Sequence, residues 1–356
     1  MFSIIISLIL IGVLVIVHEF GHFIAAKKSG ILVEEFSIGM GAKIFSRKKG
    51  ETEYSIRLLP LGGFCRMQGE GEDGTVGPRS FLNKSIGVRF IVMAAGSFMN
   101  FVLALVLIIG LTSTSYMAVP IIREVLPNTP AEEIGLQPGD QIYRINGKRI
   151  HIYDELESKL YKNGGNELRV DILRDGQEYT YKITPQFDAQ RQGYLIGFAP
   201  EIEVGLFAQD MDGYNRTTIL DTVRYSYYSM INYIKLTAEG LARVFTFTAE
   251  QDEFGGPITI VKMVGDSYEA GLTYSVKAAI QNVVYIGAVL SANLGVLNLF
   301  PIPALDGGKI LLLMVEAVRR KPLNPELENR IHFLGFAFLM GLMVFVLYGD
   351  IVKLFA

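Results

Sequence analysis

The chain has little of what usually staples or steers a protein. It has one cysteine, Cys65, in 356 residues, which excludes an intrachain disulfide framework and a cysteine-rich zinc site. Cys65 reads as an ordinary buried or loop thiol. There are only four histidines, so two that share a pattern stand out. Acidic and basic residues nearly cancel, leaving a formal net charge of −3, and nothing points to nucleic acid. The N-terminus lacks the basic stretch of a secretory signal, and a polar motif sits where such a signal would end. The first apolar run therefore reads as a retained span. No internal repeat is visible, which weighs against a transporter with a helix broken at its prolines.

What is abundant is apolar. Hydrophobic residues make up 50% of the chain, and the mean hydropathy of +0.33 suits several spans plus a water-exposed domain. Segments 2–26, 88–111, 278–300 and 331–355 are each long enough to cross a bilayer. Lys27, Lys28, Lys43, Arg47, Lys48, Lys49, Arg57, Arg66, Arg79 and Lys84 lie between the first two. Arg319, Arg320, Lys321 and Arg330 lie between the last two. By the positive-inside rule both connections are cytoplasmic, and the termini and the region 112–277 lie outside. The expected divisions are a first membrane half (1–117), a compact α+β domain (118–200), a linker with an amphipathic helix (201–277), and a second membrane half (278–356).

Within the first half, segments around 36–67 alternate as short strands about the turn RKKGE, a hairpin signal. It reads either as a plain cytoplasmic hairpin or as one that re-enters the membrane, where protein must cover its backbone. Residues 68–80 are a polar, glycine-rich loop. In the α+β domain, a short helix is expected at PAEEIGL, a tight turn at Pro138-Gly139-Asp140, and a hairpin at Asn146-Gly147. A helix near 153–162 and strands 167–174 and 178–184 follow. Residues 219–245 carry apolar side chains at steps of three and four, an amphipathic helix. It lies either at the membrane interface or against the outer domain.

The first span ends in His18-Glu19-Phe20-Gly21-His22. Ionisable groups at membrane depth are costly and are functional candidates by default. Histidines at i and i+4 share one helix face, and H-E-x-x-H supplies two zinc ligands with the glutamate as base. The bland alternative, two core histidines bonded to neighbours, leaves Glu19 between them unexplained. At 1.5 Å per residue His18 lies roughly 24 Å from the outer surface, nearer the cytoplasmic side of a core about 30 Å thick. A catalytic zinc takes three protein ligands and one open position. His151 and His332 are poorly placed to supply the third. Asp306 follows Pro301 and Pro303, which interrupt the helix, and precedes Gly307-Gly308. Alone it reads as the N-cap of the next helix; beside HEFGH it reads as the third ligand. Glu19 would take the proton of the zinc-bound water and pass it to the leaving amine.

These residues resemble the site-2 protease family of intramembrane zinc metalloproteases, within it the bacterial regulator-of-sigma-E protease branch, and the resemblance covers nearly the whole chain. HEFGH matches its H-E-x-x-H, and NLFPIPALDGG (298–308) its N-x-x-P-x-P-x-L-D-G-G. PLGGF (60–64), Gly39-Met40-Gly41, FGGPITI (254–260) and AGSFMNF (from Ala95) are similar to further family segments, with Ser97 in place of a usual proline. The resemblance implies a polytopic α-helical membrane protein of about four transmembrane helices, with a re-entrant β-hairpin and an extracytoplasmic PDZ domain over 118–200. That PDZ is single, of the circularly permuted kind, with Leu195, Ile196, Gly197 and Phe198 as the peptide cradle. It implies Zn²⁺ on His18, His22 and Asp306, with Glu19 catalytic. Asn298, Gly39, Gly41, Pro301 and Pro303 would contact substrate. The implied substrates are single-pass transmembrane proteins such as anti-sigma factors, cut after an upstream site-1-type protease, and remnant signal peptides. The setting is the bacterial inner membrane. A membrane-anchored adaptor that binds without cutting is the rival, and it need not keep His18, Glu19, His22 and Asp306 together.

Overall fold

The first apolar run folds as α1 (Phe2–Lys28) and stops where Gly30 takes a left-handed φ of 67°. Lys27 and Lys28 close its last turn, where cations complement the helix dipole. The structure is a computed structural model describing residues 2–70, 77–189, 193–246, 248, 255–321 and 323–355. Six residues of the expected glycine-rich loop, 71–76, and Phe254 of FGGPITI lie outside the described residues. The chain divides into two units, residues 1–107 with 233–356, and residues 108–232.

In the first unit, α1 leads into a hairpin of β1 (Val33–Lys49) and β2 (Thr52–Met67), turning at Gly50 as RKKGE requires. Each strand bends on itself, so Glu35–Ile38 pairs both with Gly63–Arg66 and with Glu53–Ile56. Glu35, fully buried, anchors this sheet through Ser55 Oγ at 2.7 Å, Arg57 Nη2 at 2.8 Å and Arg66 Nη2 at 2.9 Å. The turn is tied down by Glu51, which accepts from Arg79 at 2.6 Å and Lys27 at 2.7 Å. Those two cations, Arg79 first, pull its carboxyl down to about 2. The helix α2 (Ile86–Thr114) then runs unbroken through buried Ser97.

The second unit opens with β3 (Tyr116–Val125), α3 (Pro130–Glu133), β4 (Gln141–Ile145), β5 (Lys148–Arg149) and α4 (Tyr153–Asn163). It continues with β6 (Leu168–Arg174), β7 (Gln177–Ile183), β8 (Gln186–Asp188), β9 (Gly193–Leu195), β10 (Phe198–Val204) and β11 (Asn215–Arg216). The main sheet runs β11-β10-β3-β4-β6-β7 and encloses Ile122, Ile142, Leu156, Val170, Ile172 and Ile196. The expected turn at Asp140 is fixed by Arg174, whose Nε and Nη2 each reach the carboxylate at 2.6 Å. The domain end expected at residue 200 is a correction: β10 continues to Val204, and Asn215–Arg216 pairs beside it, so the sheet runs on into the expected linker region 201–277. The amphipathic helix is α5 (Ile219–Phe245). Its first part lies on this unit, with Tyr228 stacked on His151 at 3.8 Å between ring centroids. His151 also meets Glu155, so it serves packing.

The first unit resumes with α6 (Pro257–Leu272), α7 (Val276–Leu299), α8 (Asp306–Arg319) and α9 (Pro325–Phe355). Among the described residues four helices, α1, α2, α7 and α9, are long and apolar enough to span a membrane. The helix α6 was not read from the sequence. It packs on α1 and α7, where Gly265 leaves room for Ser3. Its N-terminus is capped from α9: Asp350, 2% exposed, accepts from the N–H groups of Gly256, Ile258 and Thr259 at 3.0–3.1 Å and from Thr259 Oγ1 at 2.6 Å. This explains a carboxylate within the apolar stretch of α9 that follows His332. Asp350→Ala should cost on the order of 3 kcal/mol, because several buried donors lose their acceptor at once. Thermal unfolding in detergent reads this; an unchanged midpoint would remove the cap from the stability account.

Candidate metal centre

The 3.6-residue period places His18 and His22 on the same face of α1, one turn apart and both buried. That face meets α2 at very short range. A methyl on Gly21 would lie 2.3 Å from the Ala95 carbonyl oxygen. A methyl on Gly96 would lie 2.3 Å from His22 Nε2 and 2.8 Å from His18 Nε2. Only glycine lets the two helices meet here with two imidazoles between them.

Asp306 arrives from the other side. After α7 the segment 300–305 turns through Ala304, which has a φ of 80°. Leu305 is the N-cap of α8, so Asp306 is the first helical residue and not the cap. Its carboxylate is instead turned to the histidines. Gly307 and Gly308 seat α8 directly on the backbone, since methyl groups there would meet the carbonyls of Phe300 and Ile302 at 2.2 and 2.4 Å. His332 on α9 receives the Ala304 N–H on Nδ1 at 3.2 Å, so it supports this loop without joining the cluster.

Asp306 Oδ2 lies 3.1 Å from His18 Nε2 and 3.1 Å from His22 Nε2, and the two Nε2 atoms are 3.2 Å apart. Three donors at nearly equal spacing fit one face of a tetrahedron, whose edge is about 3.3 Å for zinc with bonds near 2.0–2.1 Å. Hydrogen bonding alone explains the triangle poorly, because it points two ring nitrogens at each other and at one oxygen. Among the described residues these three are the group able to hold a metal ion.

Neighbours set the tautomers. His22 Nδ1 lies 2.8 Å from the Val92 carbonyl oxygen, to which it donates, leaving Nε2 a free lone pair. The Asn100 side-chain amide lies against His18 Nδ1 at 3.2 Å, and its Oδ1 is buried without a partner. Turning the amide over, an exchange of O and N that assignment leaves open, puts Oδ1 there to accept the Nδ1 proton. His18 Nδ1 then has an acceptor, and Asn100 becomes the group that orients His18. Asn298 Nδ2 lies 3.3 Å from the same Nδ1, so it too touches the cluster. Asn100→Ala should weaken metal binding about 10–100-fold, with Asn100→Asp recovering part because it keeps an acceptor. Metal competition against a chelating dye measures this.

Glu19, His18, Asn298, Leu305 and Asp306 line one cavity of about 250 Å3. The Cys65 backbone N–H bonds the Glu19 carboxylate, and a methyl on Gly63 would lie 3.6 Å from its Cγ. So the hairpin meets the site through Gly63 and Cys65. Gly39 and Gly41, both at a φ of 84°, shape the bend of β1 and do not line the cavity. Pro301 and Pro303 do not line the cavity either; Pro303 packs on Gly335. In the second unit, Ile196 is 1% exposed and its carbonyl accepts from the Ala131 N–H at 2.7 Å, so its side chain belongs to the core. Gly197, at a φ of 91°, packs on Thr129, and Leu195 and Phe198 are half-buried. Gly96 and Asn100 had no role in the sequence reading; AGSFMNF was the only signal that held them.

The model of "Peptidase family M50" matches residues 6–342. A Clostridium perfringens relative is 37% identical over 98% of both chains. Zinc metalloprotease RasP of Geobacillus kaustophilus is 32% identical over 99% of this chain and 98% of its own. Regulator of sigma-W protease RasP of Bacillus subtilis is 31% identical over 99% of both. Among solved structures, the PDZ domain of an SdrC-like protein from Listeria monocytogenes aligns with 24% of this chain and 90% of its own, at 18% identity and a TM-score of 0.22. With His18, Glu19, His22 and Asp306 all present and gathered, the chain belongs to peptidase family M50, as a zinc metalloprotease of the site-2 type.

Proposed function

We propose that this protein cuts the transmembrane segments of single-pass membrane proteins within the bilayer. The observation that carries the reading is the donor triangle of His18, His22 and Asp306 with Glu19 in the same cavity, on helices apolar enough to span a membrane. Zinc held there supplies a polarised scissile carbonyl and a water acidified toward a pKa of about 7. Glu19, steadied by the Cys65 N–H, takes the water proton on its carboxylate and delivers it to the leaving amine. Asn298 Nδ2, within 3.4 Å of His18, is placed to hold the substrate backbone beside the ligands.

A helical peptide bond is shielded by its own hydrogen bonds, so the substrate must unwind. The hairpin offers the means, with the Gly63–Cys65 edge beside Glu19 as an added-strand partner and the bend at Gly39 and Gly41 shaping it. This favours a hairpin that re-enters the membrane. Pro301 and Pro303 keep the facing loop open. The Bacillus subtilis relative is named for sigma-W regulation, which supports anti-sigma factors as substrates after a first cut by a site-1-type protease. Remnant signal peptides have the same single-pass form. In the second unit, β10 has β3 on one side, and its other edge stays unpaired among the described residues from Phe198 to Ile202. A PDZ-type domain would take a peptide strand there, with Leu195, the Ile196 backbone, Gly197 and Phe198 at its end. The lysine and arginine distribution supports a bacterial inner-membrane protein with this domain and both termini outside and the metal nearer the cytoplasmic face.

The test is cleavage of a single-pass substrate by purified protein in liposomes, with product masses locating the cut. The expected result is a cut within the spanning segment that stops when a zinc chelator is added. Cuts confined to exposed loops, or cleavage that persists without metal, would sink the proposal.

A further inference from the structure

The hairpin and the last turns of α1 enclose a second cavity, about 690 Å3, that shares no lining residue with the metal cleft. The volume is in the range of small-molecule sites. Its wall is apolar and largely aromatic, built from Phe20, Phe23, Phe36, Phe45, Tyr54 and Ile56. Its rim carries Arg47, Lys48 and Lys49.

The charges around it are unevenly satisfied. Lys27 and Arg79 pair with Glu51, Lys43 with Glu53, and Arg57 and Arg66 with Glu35. Arg47, Lys48 and Lys49 are exposed and have no side-chain partner among the described residues. So the cations left over in the hairpin include three consecutive ones gathered at the rim of an aromatic groove. The Lys27–Glu51 pair, at 2.7 Å, fixes the hairpin turn at the end of α1. Phe20 lies seven residues earlier in that helix, about 10 Å away. The groove therefore runs from a basic mouth toward an apolar floor.

We propose that this groove holds an anionic phospholipid, with its phosphate on Arg47, Lys48 and Lys49 and an acyl chain along Phe20, Phe23 and Phe45. Charge complementarity at one end and apolar lining at the other match the two halves of an amphiphile. A scissile peptide would have to reach Glu19, which faces the other cavity.

The sequence contains no tryptophan, so a single introduced one reports its own surroundings. Full-length Phe45→Trp protein is reconstituted in vesicles containing acyl-brominated phosphatidylglycerol or acyl-brominated phosphatidylcholine, and quenching is compared. Phosphatidylglycerol should be preferred about fivefold or more, the effect of roughly one retained cation contact. The preference should vanish when Arg47→Gln, Lys48→Gln and Lys49→Gln are added. A separate Phe338→Trp reporter, on the exposed face of α9, should show no preference. Equal quenching by both lipids at position 45 would overturn the proposal. So would a preference that survives the triple change, or one equally strong at position 338. Relief of quenching by a single-pass substrate, with the lipid preference absent, would assign the groove to substrate instead.

Discussion

Gly96→Ala should leave the protein folded and without its metal. The added methyl would stand 2.3 Å from His22 Nε2, 2.7 Å from His18 Cε1 and 2.8 Å from His18 Nε2. Real Cβ atoms do not approach other atoms so closely, so the imidazoles or the helices must move by about an ångström. Neither has an easy path. His22 is held by the Val92 carbonyl, and α1 touches the α2 backbone at Gly21. A displacement of that size at reacting groups costs about 10²-fold or more in rate, and here it falls on the ligands themselves. Gly110→Ala is the matched control: it lies in the same helix with nothing within 4 Å of the new methyl, and it should gain a few tenths to about 1 kcal/mol from helix propensity. Metal content after purification and proteolysis together check the pair. A Gly96→Ala protein that keeps its metal and its activity would show that the helices are not held as described.

Glu19→Gln should do the opposite: metal retained, turnover lost. The amide keeps the size of the carboxylate, and its oxygen can still accept the Cys65 N–H, so the cavity should keep its shape. It cannot take a proton from water at neutral pH. Positioned general bases contribute about 10²–10⁴-fold, and a loss in that range in kcat, with KM little changed, is the expected result. Loss of metal in this variant would instead make Glu19 part of the metal's support. The two variants thus separate the residues that hold the ion from the one that moves the proton.

The chemistry of the site was legible because it is written locally. His18, Glu19 and His22 need only helix periodicity to be brought together, and Asp306 sits in a long motif broken by prolines. The hairpin, α4, β6, β7 and α5 were legible for the same reason, each set by alternation, a turn pair or a three-four stripe. Gly96 and Asn100 were not, because their roles exist only where α2 crosses α1, and a single sequence carries no record of that crossing. Asp350 and His332 looked like blemishes in an apolar run; their partners, Gly256, Thr259 and Ala304, lie 28 to 94 positions away in sequence. The end of β10, past residue 200, reads as linker because its partner β3 is distant along the chain, and β11 is only two residues long, too short to show alternation. The helix α6, short and amid polar residues, has no strong periodic signature of its own and is stabilised by packing on α1 and α7.

The contact of α1 with α2 has a thermodynamic consequence. In small zinc modules the ligands are disordered until the ion arrives, and ordering them consumes much of the binding free energy. Here the ordering is done by folding: glycine contacts bring the helix backbones together, a carbonyl and an amide aim the imidazoles, and a turned loop presents the carboxylate. Ion binding then adds little order, and nearly all of its free energy goes into affinity. Stripping the ion should silence the enzyme and lower its unfolding temperature by an amount set by the ion's affinity, yet the apoprotein should persist as an intact scaffold that regains activity on reloading.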